Sequence, residues 1–161
     1  MSGIEIKQAS ADCYHELAVM VGELLAEIMD AIKQKVFNYD VSKTQQRAKD
    51  LIENGKYWVF IARDSTDNSP VGFISLYESY ALYAEGAYGT IPELYVRRSW
   101  RSQNIGNRLV HHAIEFARVK GWRRLEVTTP PLPEFDRTLD FYEKNGFVIS
   151  GGRKLKIDIK V

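Results

Sequence analysis

The hydrophobic period of this chain switches repeatedly between that of a helix and that of a strand, and this alternation restricts the fold more than any other feature. Ile4 to Lys7 alternates as a half-buried strand does. From a start that Ser10 or Asp12 can cap, to about Ile32, the apolar residues Leu17, Val21, Leu24, Leu25 and Ile28 recur at three- and four-residue intervals, the spacing of one helix face. Met20 and Met29 accompany that stripe and read as core filler. A second helix is expected from after Ser42 to near Asn54-Gly55, whose glycine suits a left-handed stop. The period then shortens to two. Tyr57 to Arg63 and Val71 to Tyr80 read as a hairpin around the polar turn Asp64 to Pro70. A Gly- and Tyr-rich link leads to a strand, Thr90 to Val96, in which Pro92 lacks a ladder donor and calls for a bulge, a splay or an edge. Ile105, Leu109, Val110, Ala113, Phe116 and Ala117 restore the helical spacing up to Gly121. Leu125 to Thr129 follows as a strand, then Asp136 to Asn145 as a helix stopped by Gly146. Lys154 to Val161 alternates as a strand with one wet face. Residues 1–161 therefore read as one mixed α/β domain around a central sheet.

With 161 residues, 45% of them hydrophobic and 27% charged, the chain can bury one full core, which excludes a disordered tail or a fibre. No stretch approaches the roughly 20 apolar residues that a bilayer span needs. The first residues show no basic leader followed by a hydrophobic run, so the expectation is a cytoplasmic protein without a membrane partner. The single cysteine, Cys13, rules out an internal disulfide and reads as a small buried residue of the first helix. No Cys/His set has zinc-binding spacing, so no metal is expected.

The net charge of +1 conceals an uneven distribution. Residues 1–96 carry eight basic against fourteen acidic residues, 97–124 carry eight against one, and 125–161 carry six of each. The pI of about 7.8 lacks the general basic excess of nucleic-acid-binding proteins, so no nucleic-acid partner is expected. The basic block opens on Leu94-Tyr95-Val96-Arg97-Arg98-Ser99-Trp100-Arg101-Ser102-Gln103-Asn104-Ile105-Gly106-Asn107-Arg108-Leu109. Here a strand ends, an arginine-rich loop follows and a helix begins. Such a turn aims consecutive backbone N–H groups at one point, and the helix dipole places positive charge there. With Arg97, Arg98, Arg101 and Arg108 it reads as a diphosphate site. It is neither a Walker loop nor a dinucleotide fingerprint, because Gly-Lys-Ser/Thr and the glycine triplet are both missing.

Arg101-Ser102-Gln103-Asn104-Ile105-Gly106 resembles the pyrophosphate loop of the GNAT (GCN5-related N-acetyltransferase) superfamily, Arg/Gln-x-x-Gly-x-Gly/Ala. Asn104 stands at the first glycine and, next to glycine, tolerates left-handed backbone angles best. Phe141-Tyr142-Glu143-Lys144-Asn145-Gly146-Phe147 is similar to a second segment of that family, though Thr138 falls near a position where the family often has alanine. The resemblance covers about residues 88–149. It implies a central, mostly antiparallel sheet, splayed between the fourth and fifth strands, with helices on both faces. It also implies an acetyl-CoA-dependent N-acetyltransferase that moves an acetyl group to a primary amine by direct attack on the thioester. The cofactor-binding residues it points to are Leu94, Tyr95, Val96, Arg101, Ser102, Gln103, Asn104, Ile105, Gly106, Asn107 and Arg108.

Removing a proton from an aliphatic ammonium of pKa about 10.4 at pH 7 costs about 4.6 kcal/mol, so a base should reach the acceptor. Glu93 and Glu126 lie near strand ends where the sheet opens. Glu126 is also similar to the position used by ribosomal-protein N-terminal acetylases of the superfamily. Tyr142 is the general-acid candidate that the resemblance implies, and the Val96 N–H is the expected oxyanion donor. His111 and His112 fall within a helix, away from the sheet opening. The acidic N-terminal portion favours a cationic acceptor, whether a small-molecule amine or a peptide or protein amine. Exposed sheet edges suit a homodimer. The alternative is a non-catalytic acyl-CoA-binding module or sensor of the same fold.

Overall fold

Strands β2 (Trp58–Asp64) and β3 (Pro70–Ala81) run through the middle of the protein in a computed structural model that describes residues 3–161. Their alternating side chains decide which helix lies on which face. Phe60, Ala62, Ile74 and Leu76 turn toward helix α3 (Ile105–Lys120) and meet Leu109, Val110 and Ala113. Val59, Ile61 and Phe73 turn the other way, onto Leu17 and Met20 of α1 (Tyr14–Ile32), with Ala48 and Ile52 of α2 (Val41–Glu53) packed against that cluster. Each such aliphatic or aromatic burial stabilises by about 1.5–3 kcal/mol. Helix α2 buries no residue fully, so its start depends more on its cap: the Asp40 carboxylate accepts the Lys43 N–H at 2.9 Å, a bond worth about 1 kcal/mol.

The other strands extend this centre. β1 (Ile4–Gln8) pairs antiparallel with β2, β4 (Gly86–Ile91) pairs antiparallel with β3, and β6 (Leu125–Val127) pairs parallel with β4. β5 (Leu94–Val96) pairs antiparallel with the first part of β3. Helix α4 (Asp136–Lys144) lies beyond β6 in the chain and brings Phe141 and Tyr142 to the α3 side of the core. The sheet is therefore mostly antiparallel and has helices on both faces, as the sequence implies.

Three segments differ from the sequence reading. The strand expected over Thr90 to Val96 is two strands, because Tyr77 pairs with Thr90 while Ile74 pairs with Leu94. Ser75 and Leu76 thus oppose Ile91, Pro92 and Glu93, a one-residue bulge at the proline. The Gly- and Tyr-rich link is the end of a hairpin, with one 3-10 turn at Leu82–Ala84 between β3 and β4. The strand expected at Lys154 to Val161 does not form: those residues are exposed and pair with no strand of the described residues. Their alternation is strand-like, but no neighbour in the chain lies alongside to complete the ladder.

Candidate active site

The bulge at Pro92 creates the site. Up to Ile91 the sheet is continuous into β6, with Ile91 opposite Val127. Past the bulge β5 stays on β3 and β6 does not follow. A cleft of about 550 Å³ opens between them, bordered by Pro92 to Val96 on one side and Val127 and Thr128 on the other. The Arg97 N–H donates to Val71 O at 2.8 Å and the Ser75 N–H to Glu93 O at 3.0 Å. Antiparallel ladder bonds alternate, so the N–H groups of Leu94 and Val96 point away from β3, into the gap.

One end of the cleft is the turn into α3. Ser102 and Asn104 both take left-handed backbone angles, φ 63 and φ 67. Asn104 therefore adopts the conformation that a glycine would supply at that place. It caps α3 without a side-chain hydrogen bond to the backbone, and the first intrahelical donor is Arg108 N–H to Asn104 O at 3.2 Å. The N–H groups of Ile105, Gly106 and Asn107 are thus left as the open donors of the first turn, where the helix dipole adds positive charge. Gly106 is packed closely: a Cβ there would meet the Phe141 ring at 3.2 Å, so the ring would have to give by a few tenths of an ångström, and a larger side chain would press on it further.

Three of the four arginines read as a diphosphate site, Arg97, Arg101 and Arg108, are engaged with other groups, while the Arg98 side chain has no hydrogen-bond or ion-pair partner among the described residues. Arg101 forks onto both carboxylate oxygens of Glu27 at 2.7 Å and donates Nε–H to Val96 O at 2.8 Å. That hydrogen bonding keeps the Glu27 carboxyl below its usual range. Arg97 forks onto Glu23 at 3.0 Å. Arg108 donates to Ile4 O at 2.9 Å. The loop is braced by guanidinium groups, and its concave side is lined with main-chain donors. Arg101, Ser102, Asn104, Ile105, Gly106 and Asn107 border the cleft, whereas Gln103 and Arg108 do not.

Glu93 and Tyr142 both line this cleft and Glu126 does not. The Glu93 carboxylate accepts hydrogen bonds from Tyr57 Oη, at 2.9 and 3.2 Å, and from Ser75 Oγ. Burial pushes its pKa above the ordinary glutamate range, and the two hydroxyls draw it part of the way back. Tyr142 is 5% exposed, and burial raises its phenol above the usual value. Its hydroxyl has no hydrogen-bond partner among the described residues, yet no buried polar atom there is left unpaired, so the hydroxyl opens onto the cleft. Glu126 is half-buried and ion-paired to Arg124 at 2.8 Å. Tyr95 turns to the α1 side, where burial and then the Glu23 charge raise its pKa to about 12. His111 is exposed, and His112 packs against Phe60 at 5.9 Å.

Sequence reasoning passed over Tyr57, Ser75 and Glu27. Ser75 did leave a signal, as the one hydroxyl in the apolar run Val71-Gly72-Phe73-Ile74-Ser75-Leu76. Among the described residues no cluster of three or more His, Cys, Asp or Glu could hold a metal ion, and no helix is long and apolar enough to cross a membrane.

No curated protein sequence matches the chain. Solved structures match over nearly its whole length. A predicted acetyltransferase from Clostridium acetobutylicum with acetyl-CoA has a TM-score of 0.78 at 14% identity, over 97% of this chain and 96% of that one. An aminoglycoside acetyltransferase from an uncultured soil metagenomic sample, in complex with sisomicin, has a TM-score of 0.74 at 21% identity, over 98% and 97%. Glucosamine-6-phosphate N-acetyltransferase from Arabidopsis thaliana has a TM-score of 0.73 at 14% identity, over 96% and 98%. These likenesses establish the fold. Because the model of the Acetyltransferase (GNAT) family matches residues 22–147, a span that takes in every residue bordering the cleft, the chain belongs to that family.

Proposed function

We propose that this protein transfers an acetyl group from acetyl-CoA to a primary amine. The observation that carries the reading is the meeting, in one cleft, of three open N–H donors at the start of α3 with an unpartnered tyrosine hydroxyl and a carboxylate. The residues fit the donor. The first-turn amides of Ile105, Gly106 and Asn107, with the left-handed turn at Ser102 and Asn104, suit a diphosphate. The Leu94 and Val96 N–H groups suit the amide-bearing arm along β5. Acetyl-CoA, when bound, supplies the acetyl group as a thioester.

The chain's own groups supply the remaining needs of the reaction. Glu93, its pKa raised by burial, is the base that draws a proton from the incoming ammonium, directly or through a water. A base whose pKa is nearer the working pH than an ordinary glutamate's suits that transfer. The Val96 N–H points where a carbonyl oxygen gains negative charge. Tyr142, kept protonated by burial, holds the proton that a departing thiolate takes. Glu126 remains a second candidate base only by its strand position, since its carboxylate is engaged by Arg124. The acidic balance of residues 1–96 and the stacked rings of Tyr57 and Tyr77, 6.2 Å apart and 15° from parallel beside Glu93, favour a cationic acceptor, as an aminoglycoside would be.

The test is a free-thiol release assay with acetyl-CoA over a panel of aminoglycosides, polyamines, amino acids and peptide N-termini, run beside a thermal melt. Thiol release with at least one amine, together with a rise in Tm on adding acetyl-CoA, is the expected result. A rise in Tm with no release for any amine would replace this reading with a non-catalytic acyl-CoA-binding module. No rise in Tm would remove both.

A further inference from the structure

Glu93 closes the bulge at Pro92, and the strand opposite fixes both its backbone and its side chain. The Ser75 N–H donates to Glu93 O at 3.0 Å, and the Glu93 N–H donates to Ser75 Oγ at 3.1 Å. Ser75 Oγ in turn donates to Glu93 Oε1. Tyr57, the residue before β2, places its Oη 2.9 Å from Oε1 and 3.2 Å from Oε2. A carboxylate oxygen offers about two acceptor positions, so Oε1 is filled by two hydroxyls while Oε2 keeps room for a further proton. The Tyr57 ring stacks on Tyr77 and packs against the α1 side of the core, contacts that do not involve its hydroxyl. Burial and then the Glu93 charge push the Tyr57 phenol above its usual range, so it stays a donor. Neither Tyr57 nor Ser75 borders the cleft. Both reach an acceptor only through Glu93.

We infer that Tyr57 is a positioning residue for the base: its hydroxyl, with that of Ser75, occupies Oε1 and leaves Oε2 to take the proton of the acceptor. This rests on Glu93 being the base. In that step an ammonium N–H bond breaks, an O–H bond forms at Oε2, and amine and carboxyl are both left neutral. Because hydroxyl donors favour the charged carboxylate, they also lower the pH at which Oε2 becomes free. Of the other ionisable groups around the cleft, Glu23 and Glu27 of α1 are paired with Arg97 and Arg101. Tyr142 is kept protonated by burial, Arg137 lies on α4 and Tyr77 stacks on Tyr57. None of them pairs with Glu93.

A carboxyl 13C titration of Glu93 in the free protein, its resonance assigned by its loss in Glu93→Gln, tests this beside the acidic limb of kcat/KM. The limb is read with whichever amine of the panel releases most thiol. Tyr57→Phe keeps the ring and its stack, so the far-UV spectrum should hold. The variant should raise the midpoint of the Glu93 titration by about one pH unit and carry the acidic limb up with it. In the Glu93→Gln background it should change the rate less than about twofold, because its effect passes through the carboxylate. A midpoint unmoved by Tyr57→Phe overturns the inference, and so does an undiminished loss of rate in the Glu93→Gln background. A midpoint that rises while the limb stays put would remove Glu93 as the base, and the catalytic part of Tyr57 with it, while the contact itself stood.

Discussion

A single hydroxyl separates a packing tyrosine from a reacting one. Tyr142 makes edge contacts with Phe141 and Phe147, ring centroids 5.3 Å apart in both pairs, and these survive in Tyr142→Phe. Since its hydroxyl holds no partner, the variant should keep its stability within about 0.5 kcal/mol and its acetyl-CoA affinity by calorimetry, while turnover falls about 10²-fold or more. Unchanged turnover would reduce Tyr142 to a core residue. Glu93 has the opposite character, since it is already hydrogen-bonded. Its folded pKa lies above the unfolded one, so its favourable contribution is complete below the unfolded pKa and is lost as pH rises through the folded one. Glu93→Gln should therefore gain in Tm on the parent chain as pH increases from about 4 to 8, and should also lose the acidic limb of the rate profile. A gap in Tm that is constant with pH would contradict the shifted carboxyl.

Elements hold these residues through two close approaches that depend on glycine. A Cβ at position 72 would lie 2.6 Å from the Tyr95 carbonyl oxygen and 3.2 Å from Val96 Cα. Gly72→Ala should therefore push β5 off β3 and cost about 1–3 kcal/mol in chemical denaturation, with catalysis falling as the Val96 N–H moves. Gly106→Val should press on Phe141 and shift the first turn of α3, abolishing the acetyl-CoA-induced rise in Tm while far-UV helicity persists. Retained binding would refute the loop assignment. The long amphipathic elements were legible before any coordinates, α3 from Ile105 to Gly121 most fully, because local spacing determines them. The three-residue β5 was hidden in one apolar run, since pairing partners, and not local pattern, split it from β4. The arginines misled for a related reason. Arg97 and Arg101 are each 74 residues from the glutamate that engages them, and no local feature announces such a partner. Glu93 was readable as a candidate from its strand position, but its clamp by Tyr57 and Ser75, 36 and 18 residues away, was not.

At the scale of the whole molecule the charge is sorted: acidic residues predominate in the portion that contributes α1, α2 and the first strands, and basic ones around α3. Attraction of a cationic acceptor to such a surface is screened as the Debye length shrinks from about 30 Å at 0.01 M salt to about 3 Å at 1 M. KM for polycationic amines should accordingly rise several-fold over that range with kcat nearly constant, and a salt-independent KM would argue for a neutral acceptor. A different property follows from the length of β3. This one continuous strand binds β5 along its first part and β4 along its second, so the spacing between the two lips of the opening is set by a single rail of backbone. Widening or shutting it would require breaking ladder bonds on that rail. The two strand lips of the entrance are therefore standing architecture, held apart by ladder bonds along β3 and β4.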